Sequence, residues 1–372
     1  MKKIAIREHF DEVETTKEYK GYTYSIGDAL SIVILGSICG LRNVSQIHQW
    51  AESKQVSTFL RKHFGIKNVP CYYWLLCLLK IIKPASLNRC FVQWVQAMVA
   101  ENGIKATLSF DGKTIRSTGA MERYESPLHI ISAHIAELGI TLGQQAVSGK
   151  SNEIPAMREL LDTLQIEGCM IVADAMHCQK ETARTILANR ADYLLNVKDN
   201  QETLKCDIAD YVREETLRKA MDTATTVEKN GGRIEKRSAY ATNDVSWLQG
   251  KDQWAGLVCI GAIHRQCESK VGSSSEWHYY ISSRQLTALE LLRLARMEWS
   301  VESMHWLLDV HFSEDFCRVE DETVQQNLNM VRKIALNTIR RFKNHSASKR
   351  AFSKIMLDCL LDPLCILPLL QT

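Results

Sequence analysis

Three acidic residues stand in contexts that could bring their carboxylates together. Asp111 follows the apolar run TLSF, Asp174 ends the run CMIVAD, and Glu302 lies in the helix-like segment EWSVESMHWLLDVHF. Carboxylates from two strand ends and a helix suit hard divalent cations, because Mg²⁺ takes oxygen ligands and is usually held by one or two carboxylates. Two such ions about 4 Å apart can activate the attacking oxygen and stabilise the leaving one in phosphoryl transfer. We therefore predict that Asp111, Asp174 and Glu302 are catalytic residues and metal ligands.

Each acid also has an ordinary structural interpretation. An Asp before a Gly, as at Asp111, is common in β-turns, and Asp174 could cap the helix that follows it. Glu302 could be a surface residue flanked by core tryptophans, and Asp309 and Asp315 are rival acids in the same stretch. These alternatives stay open at the level of single motifs.

The segment around Glu302 has helical spacing. Trp299, Glu302 and Trp306 follow one another at i, i+3 and i+7, so they share one helical face. An acid among aromatic residues on such a face predicts that Glu302 points toward the interior.

The overall composition is that of an ordinary globular protein, with 45% apolar and 24% charged residues in a chain of 372. A net charge of +3 is weak support for any partner, so a surface for nucleic acid would have to be local. Basic residues at 332–333, 340–343 and 349–350 are candidates for such a surface. A solvated helix face explains them equally well.

The cysteines indicate a cellular compartment. Most of the twelve lie in apolar runs, which is typical of small buried side chains. No CxxC pair occurs, and although His177 and Cys178 stand beside Asp174, no further ligands follow at zinc-site spacing. The first residues lack the apolar core of a secretion signal. We therefore expect a chain in the reducing cytoplasm.

The hydrophobic pattern changes along the chain. Residues 1–100 are predicted to form a helical domain, and residues 101–345 a catalytic domain in which three strands precede alternating helices and strands. That order predicts a mixed α/β sheet with flanking helices. Within it, about 199–283 is predicted as a β-rich insertion, and 346–372 as an apolar tail that docks onto the body or onto a second subunit.

Several long motifs occur in a fixed order, namely DGKTIRS, GKSNEIPAMRELLD, ADAMHCQKETARTIL, ADYLLNVKDNQETL and WSVESMHWLLDVHFSEDFCRV. Over roughly residues 20–345 they resemble the DDE transposases of bacterial insertion sequences, in the ISAs-type branch that includes the H-repeat-associated proteins. The resemblance implies a ribonuclease-H-like core with an N-terminal helical accessory domain that binds DNA. It also implies that the three acids of the family are Asp111, Asp174 and Glu302.

The implied activity is metal-dependent DNA strand cleavage and transfer at the ends of an insertion sequence. The implied cofactor is Mg²⁺ or Mn²⁺, as two ions, and the implied substrate is double-stranded DNA, both terminal inverted repeats and target. A homodimer when active and a nucleoid-associated place in a bacterial cytoplasm follow from the same resemblance. Lys113, Arg116 and Lys198 are candidate contacts to DNA phosphates, which would carry no sequence information.

Two alternatives to this function are kept. The chain could be a catalytically silent transposase relic that acts at most as a DNA-binding protein, or a general metal-dependent nuclease. The motifs depart from the family pattern at four places. Glu298 replaces a usual His, Ser303 a usual Asn and Asp199 a usual Gly, and Gly231-Gly232 stands where a His often precedes GRIE. The three acids are intact.

Overall fold

The computed structural model describes most of the chain, namely residues 10–18, 24–102, 106–120, 127–147, 152–230, 232–269 and 272–371. Residues 149–151 of the GKSNEI motif and Gly231 of a predicted turn lie outside the described residues.

Two compact units make up the chain. The first unit comprises Met1–Ile104, Gly112–Asn152 and Glu302–Thr372, and the second comprises Lys105–Asp111 and Glu153–Val301. The boundaries near residues 100 and 345 that the sequence predicts stay a prediction.

Between residues 24 and 102, the described part of the first unit contains the helices α1 (Ile26–Ile38), α2 (Val44–Glu52), α3 (Lys54–Phe64), α4 (Tyr72–Ile81) and α5 (Pro84–Asn102). The sequence predicts one helix over 44–64, but the side chain of Ser53 accepts a hydrogen bond from the backbone N–H of Val56 and starts a new helix there. α1 is buried almost throughout. A Cβ at Gly36 would lie 2.8 Å from Ile47, so glycine lets α2 approach.

The rest of the first unit packs around one long helix. It contains β2 (His129–Ile135), β3 (Ile140–Val147), most of α11 (Ser300–Phe312), α12 (Glu322–His345), α13 (Phe352–Leu361) and α14 (Ile366–Gln371). α12 is buried from Leu328 to Ile339 and contacts α1, α4, α5 and β3. The apolar tail forms α13 and α14, which bury Phe352 and Ile366 among other side chains.

The second unit is built on strands. It contains α6 (Glu153–Thr163), β4 (Met170–Ala173), α7 (Lys180–Ala188), β5 (Asp192–Val197), α8 (Glu202–Arg213), α9 (Glu215–Ala220), β6 (Asp222–Asn230), β7 (Arg233–Thr242), β8 (Cys259–Ser269), β9 (Gly272–Ser282) and α10 (Ala288–Glu298). β1 (Thr107–Thr114) is shared, since it begins in the second unit and ends in the first.

The strands of the described residues form a mixed sheet. In the second unit the order is β1-β4-β5-β9-β8-β7-β6, with β1, β4 and β5 parallel and the remaining neighbours antiparallel. In the first unit β2 and β3 pair antiparallel. The predicted mixed sheet with flanking helices and a β-rich insertion is therefore confirmed.

Two other properties concern the described residues. None of their helices is long and apolar enough to cross a membrane. The twelve cysteines, all of which are described, form no disulfide.

Candidate active site

Two of the predicted acids stand where the parallel pairing of two neighbouring strands ends. The register of β1 and β4 ends with Phe110 opposite Ala173, so Asp111 and Asp174 come directly after the last paired residues. Neighbouring strands lie about 4.8 Å apart. The second unit therefore brings Asp111 and Asp174 to one edge of the sheet. The sequence suggests that Asp111 ends its strand, but β1 continues to Thr114.

Asp174 leads into a short turn of 3₁₀ helix, Ala175–His177. Its side chain makes no capping hydrogen bond to that turn, so the alternative role as a helix cap is not supported. The side chain is 47% exposed, yet its Oδ1 atom is buried and has no hydrogen-bond partner among the described residues. One oxygen therefore faces inward while the carboxylate as a whole reaches the surface.

The loop after β5 holds this turn in place. Asn200 Nδ2 donates to the backbone oxygen of Ala175 at 2.6 Å, and Gln201 Nε2 donates to that of Cys178 at 3.0 Å. Sequence reasoning did not assign these two amides a role. The only signal is that they lie in the motif ADYLLNVKDNQETL, directly after a predicted strand.

A buried imidazole stands between two carboxylates in the second unit. His177 is 1% exposed, and its Nε2 atom lies 3.5 Å from Glu153 Oε2 and 3.9 Å from Asp174 Oδ1. From the sequence alone, His177 is only a weak candidate for a zinc ligand. Glu153 opens α6, and no motif pattern pointed to it as a neighbour of Asp174.

Glu302 lies on α11, in the part that belongs to the first unit, and it is exposed. The prediction that it points inward among tryptophans is wrong, since Trp306 is 61% exposed and Trp299 lies between α10 and α11 with 52% exposed. The core face of α11 follows a different set of residues, which are Val301, Met304, Leu308 and Phe312. That set leaves the Glu302 face open.

The rival acids of the same stretch surround Lys113. Its Nζ atom lies 2.5 Å from Asp309 Oδ1, 3.1 Å from Glu314 Oε2 and 3.7 Å from Asp315 Oδ1. Glu314 is fully buried, and its other oxygen accepts from Asn329 Nδ2 at 2.6 Å. Burial alone would raise the pKa of Glu314, but Lys113 and nearby basic residues hold it below its usual value. Asp309 and Asp315 thus face a cation already.

The other two predicted phosphate contacts are exposed. The side chain of Arg116 is 85% exposed and lies 3.4 Å from Asp315. Lys198 directly follows β5, the parallel neighbour of β4, and is exposed. Asp199, the acid that departs from the family pattern, is paired with Lys205 at 2.6 Å.

The fit to a divalent cation is partial. Asp111 and Asp174 supply the oxygen ligands that such ions prefer, and the buried Oδ1 of Asp174 is a polar atom with no hydrogen bond in the described structure. No three His, Cys, Asp or Glu side chains among the described residues lie close enough together to hold a metal ion.

Comparison with protein families gives a direct match. Residues 103–338 match the transposase DDE domain, and residues 7–95 match the region associated with that domain. The chain belongs to the family of transposases with this DDE domain. The predicted DDE transposase function and the ribonuclease-H-like α/β class are therefore confirmed, and use of divalent metals is general in the family.

Similar proteins occur in Escherichia coli. The chain is 30% identical over 363 residues to the H repeat-associated putative transposase YhhI and to the putative protein YbfL, both of strain K12, with 95% of each chain covered. It is 30% identical to the putative transposase YncI of strain O157:H7, covering 90% of this chain and 87% of that protein. A solved piggyBac transposase synaptic complex with hairpin DNA gives a TM-score of 0.47 at 10% identity, covering 99% and 79% of the two chains. At that level the likeness supports no conclusion.

Proposed function

We propose that this transposase cleaves and transfers DNA strands at the ends of an insertion sequence, with Asp111, Asp174 and Glu302 as its catalytic acids. The observation that carries the proposal is the register of β1 and β4, which delivers the first two acids to one edge of the sheet. Ligand and catalytic groups gather at the carboxyl ends of parallel strands in α/β sheets.

Glu302 enters the proposal through the resemblance, which makes it the third acid of the family in the motif WSVESMHWLLDVHF. Its neighbours along the chain have contacts within each unit. The hydroxyls of Ser109 and Ser300 lie 3.0 Å apart within the second unit, and Lys113 contacts Asp309 within the first.

Ser109, Asp111 and Lys113 alternate along β1 and so share one face of the strand. Asp111 on β1, Asp174 after β4 and Glu302 on α11 are the three proposed carboxylates. These carboxylates would hold two ions of Mg²⁺ or Mn²⁺, and the chemistry supplied by such ions is activation of the attacking oxygen and stabilisation of the departing 3′ oxygen.

DNA would meet exposed basic residues in each unit. Arg116 and Lys198 are the candidates whose side chains are accessible to backbone phosphates. Lys113 stays a prediction, although three carboxylates already surround its charge. Residues 1–100 would bind terminal repeats as an accessory domain, the body would extend over 101–345, and synapsis of two ends calls for a homodimer on nucleoid DNA in the cytoplasm.

The test compares nicking of supercoiled plasmid in Mn²⁺ by the wild type, Asp174→Ala and Asp252→Ala. Asp252 is an exposed acid of the second unit and serves as the control. We expect the wild type and Asp252→Ala to nick plasmid at the same rate. The rate for Asp174→Ala should fall by more than about 100-fold, because the proposed metal ions that stabilise charge in the transition state would lose a ligand. Undiminished nicking by Asp174→Ala would refute the assignment. DNA binding without nicking by any variant, in Mg²⁺ and in Mn²⁺, would favour the silent relic.

A further inference from the structure

We propose that His177 and Glu153 are positioning residues that act together to hold the Asp174 carboxylate for metal binding. The inference rests on the proposed role of Asp174 as a metal ligand and adds two residues to that site. Neither residue needs to touch metal or DNA, since they act through Asp174.

The three side chains form a row from the interior to the surface. Exposure rises from 1% for His177, through 16% for Glu153, to 47% for Asp174. The same imidazole nitrogen, Nε2, faces both carboxylates, at 3.5 Å from Glu153 Oε2 and at 3.9 Å from Asp174 Oδ1. One N–H therefore lies between two acceptors of the same charge.

In this row, the Oδ1 oxygen of Asp174 and the two ring nitrogens of His177 are buried without a hydrogen bond among the described residues. Buried polar atoms are hydrogen-bonded in the great majority of cases, and each that is not costs roughly 1–3 kcal/mol. A side-chain shift of less than about 1 Å would bring either carboxylate within the 2.7–3.2 Å of a hydrogen bond to Nε2.

The row rests on rigid elements. Glu153 is the first residue of α6, and His177 is the last residue of the 3₁₀ turn. Asn200 and Gln201 donate hydrogen bonds to backbone oxygens of this turn and of the residue after it. With Nε2–H donating to Oδ1, the other oxygen of Asp174 is directed outward. Hydrogen bonds behind a metal ligand orient it in this way, and losing them typically weakens metal affinity or activity 10–100-fold.

The test measures the dissociation constant for Mn²⁺ alone, by electron paramagnetic resonance of the intact chain without DNA. His177→Phe keeps the ring volume and removes the donor, so we expect binding to weaken about 10–100-fold. His177→Gln retains an N–H donor and should recover part of the affinity. Glu153→Gln should weaken binding as well, and the double variant should be no worse than His177→Phe, because both residues act through one carboxylate.

Two further variants separate this role from simple packing. Cys178→Ala removes a buried thiol in the same turn and should leave the Mn²⁺ dissociation constant unchanged. His177→Phe should not lower the thermal midpoint, since it removes buried polar atoms that lack partners. Loss of stability with unchanged Mn²⁺ affinity in His177→Phe would overturn the inference, provided that Asp174→Ala weakens Mn²⁺ binding. If Asp174→Ala also binds Mn²⁺ like the wild type, Asp174 is not a metal ligand, and the positioning role of His177 and Glu153 is refuted as well.

Discussion

Two clusters of polar side chains, one in each unit, differ in how fully they are paired. Around Lys113 in the first unit, three carboxylates meet one ammonium group and the buried Glu314 uses both of its oxygens. Around His177 in the second unit, buried nitrogen and oxygen atoms face one another without a hydrogen bond among the described residues. Both clusters hold acids that the sequence alone makes candidates for chemistry.

The difference teaches which acids hold the fold and which can do chemistry. A buried charge with complete partners is bound into the structure, and removing one partner is strongly destabilising. Buried polar atoms without partners lower stability, so each calls for an explanation, such as a catalytic role or a bound ion. By this criterion Asp309 and Asp315 are structural, and the unpaired oxygen of Asp174 supports its proposed role as a metal ligand.

The largest expected effect comes from breaking the paired cluster. Lys113→Met should lower the free energy of unfolding by about 3–5 kcal/mol, because the fully buried Glu314 loses its nearest cation and keeps only Arg332, at 4.0 Å, as an ion-pair partner among the described residues. Urea unfolding at neutral pH measures this. Lys349→Met, which changes an exposed lysine, should stay within about 0.5 kcal/mol of the wild type. A Lys113→Met protein as stable as that control would show that the cluster is not structural.

A second expected effect concerns pH in the same unit. Burial lowers the pKa of Lys333 from its ordinary 10.5 to about 7, although its ammonium group donates to Ser132 and Gln144. Above pH 7 the unfolded chain therefore binds this proton more strongly than the folded one, so stability should rise with pH, by at most about 1.4 kcal/mol per pH unit.

Urea titrations between pH 7 and about 7.5, roughly one unit below the usual cysteine pKa, test this sign. Lys333→Met should flatten the rise, whereas Lys349→Met should preserve it. An equal slope in Lys333→Met and the wild type would mean that Lys333 keeps its proton in the folded protein.

The smallest expected effect on stability comes from Arg116→Ala. This arginine is 85% exposed, so its ion pair with Asp315 should contribute less than about 1 kcal/mol. Its effect should instead appear in DNA binding, where the slope of log affinity against log salt should fall by about 1. Arg190→Ala, an exposed and ion-paired arginine before β5, is the matched control and should leave that slope unchanged. Identical slopes for the two variants would remove Arg116 from the DNA surface.

Much of the site's frame follows from local sequence pattern. The apolar runs before Asp111 and Asp174 predict two buried strands, and the structure pairs those strands in parallel. Local pattern failed at Glu302, where two tryptophans suggested a buried face. α11 instead buries Val301, Met304, Leu308 and Phe312. These residues have the same helical spacing as the tryptophans but lie on another face of the helix.

The partners of the charged groups could not be predicted from local pattern. Lys113 meets Asp309 and Glu314 across 196 and 201 residues of chain, respectively. Glu153 meets His177 only because the start of α6 packs beside the turn after β4. Such contacts form only when distant elements pack together, so the spacing of residues along one sequence does not predict them.

The unpaired Oδ1 of Asp174 has a consequence for how copies of such a gene decay. Because this oxygen makes no hydrogen bond in the described structure, we expect that replacing Asp174 costs little folding stability. Genetic drift at this codon would then meet little resistance from protein quality control. We expect chemistry to be lost before the fold, so that inactive descendants persist as folded proteins able to compete with active ones for the same DNA.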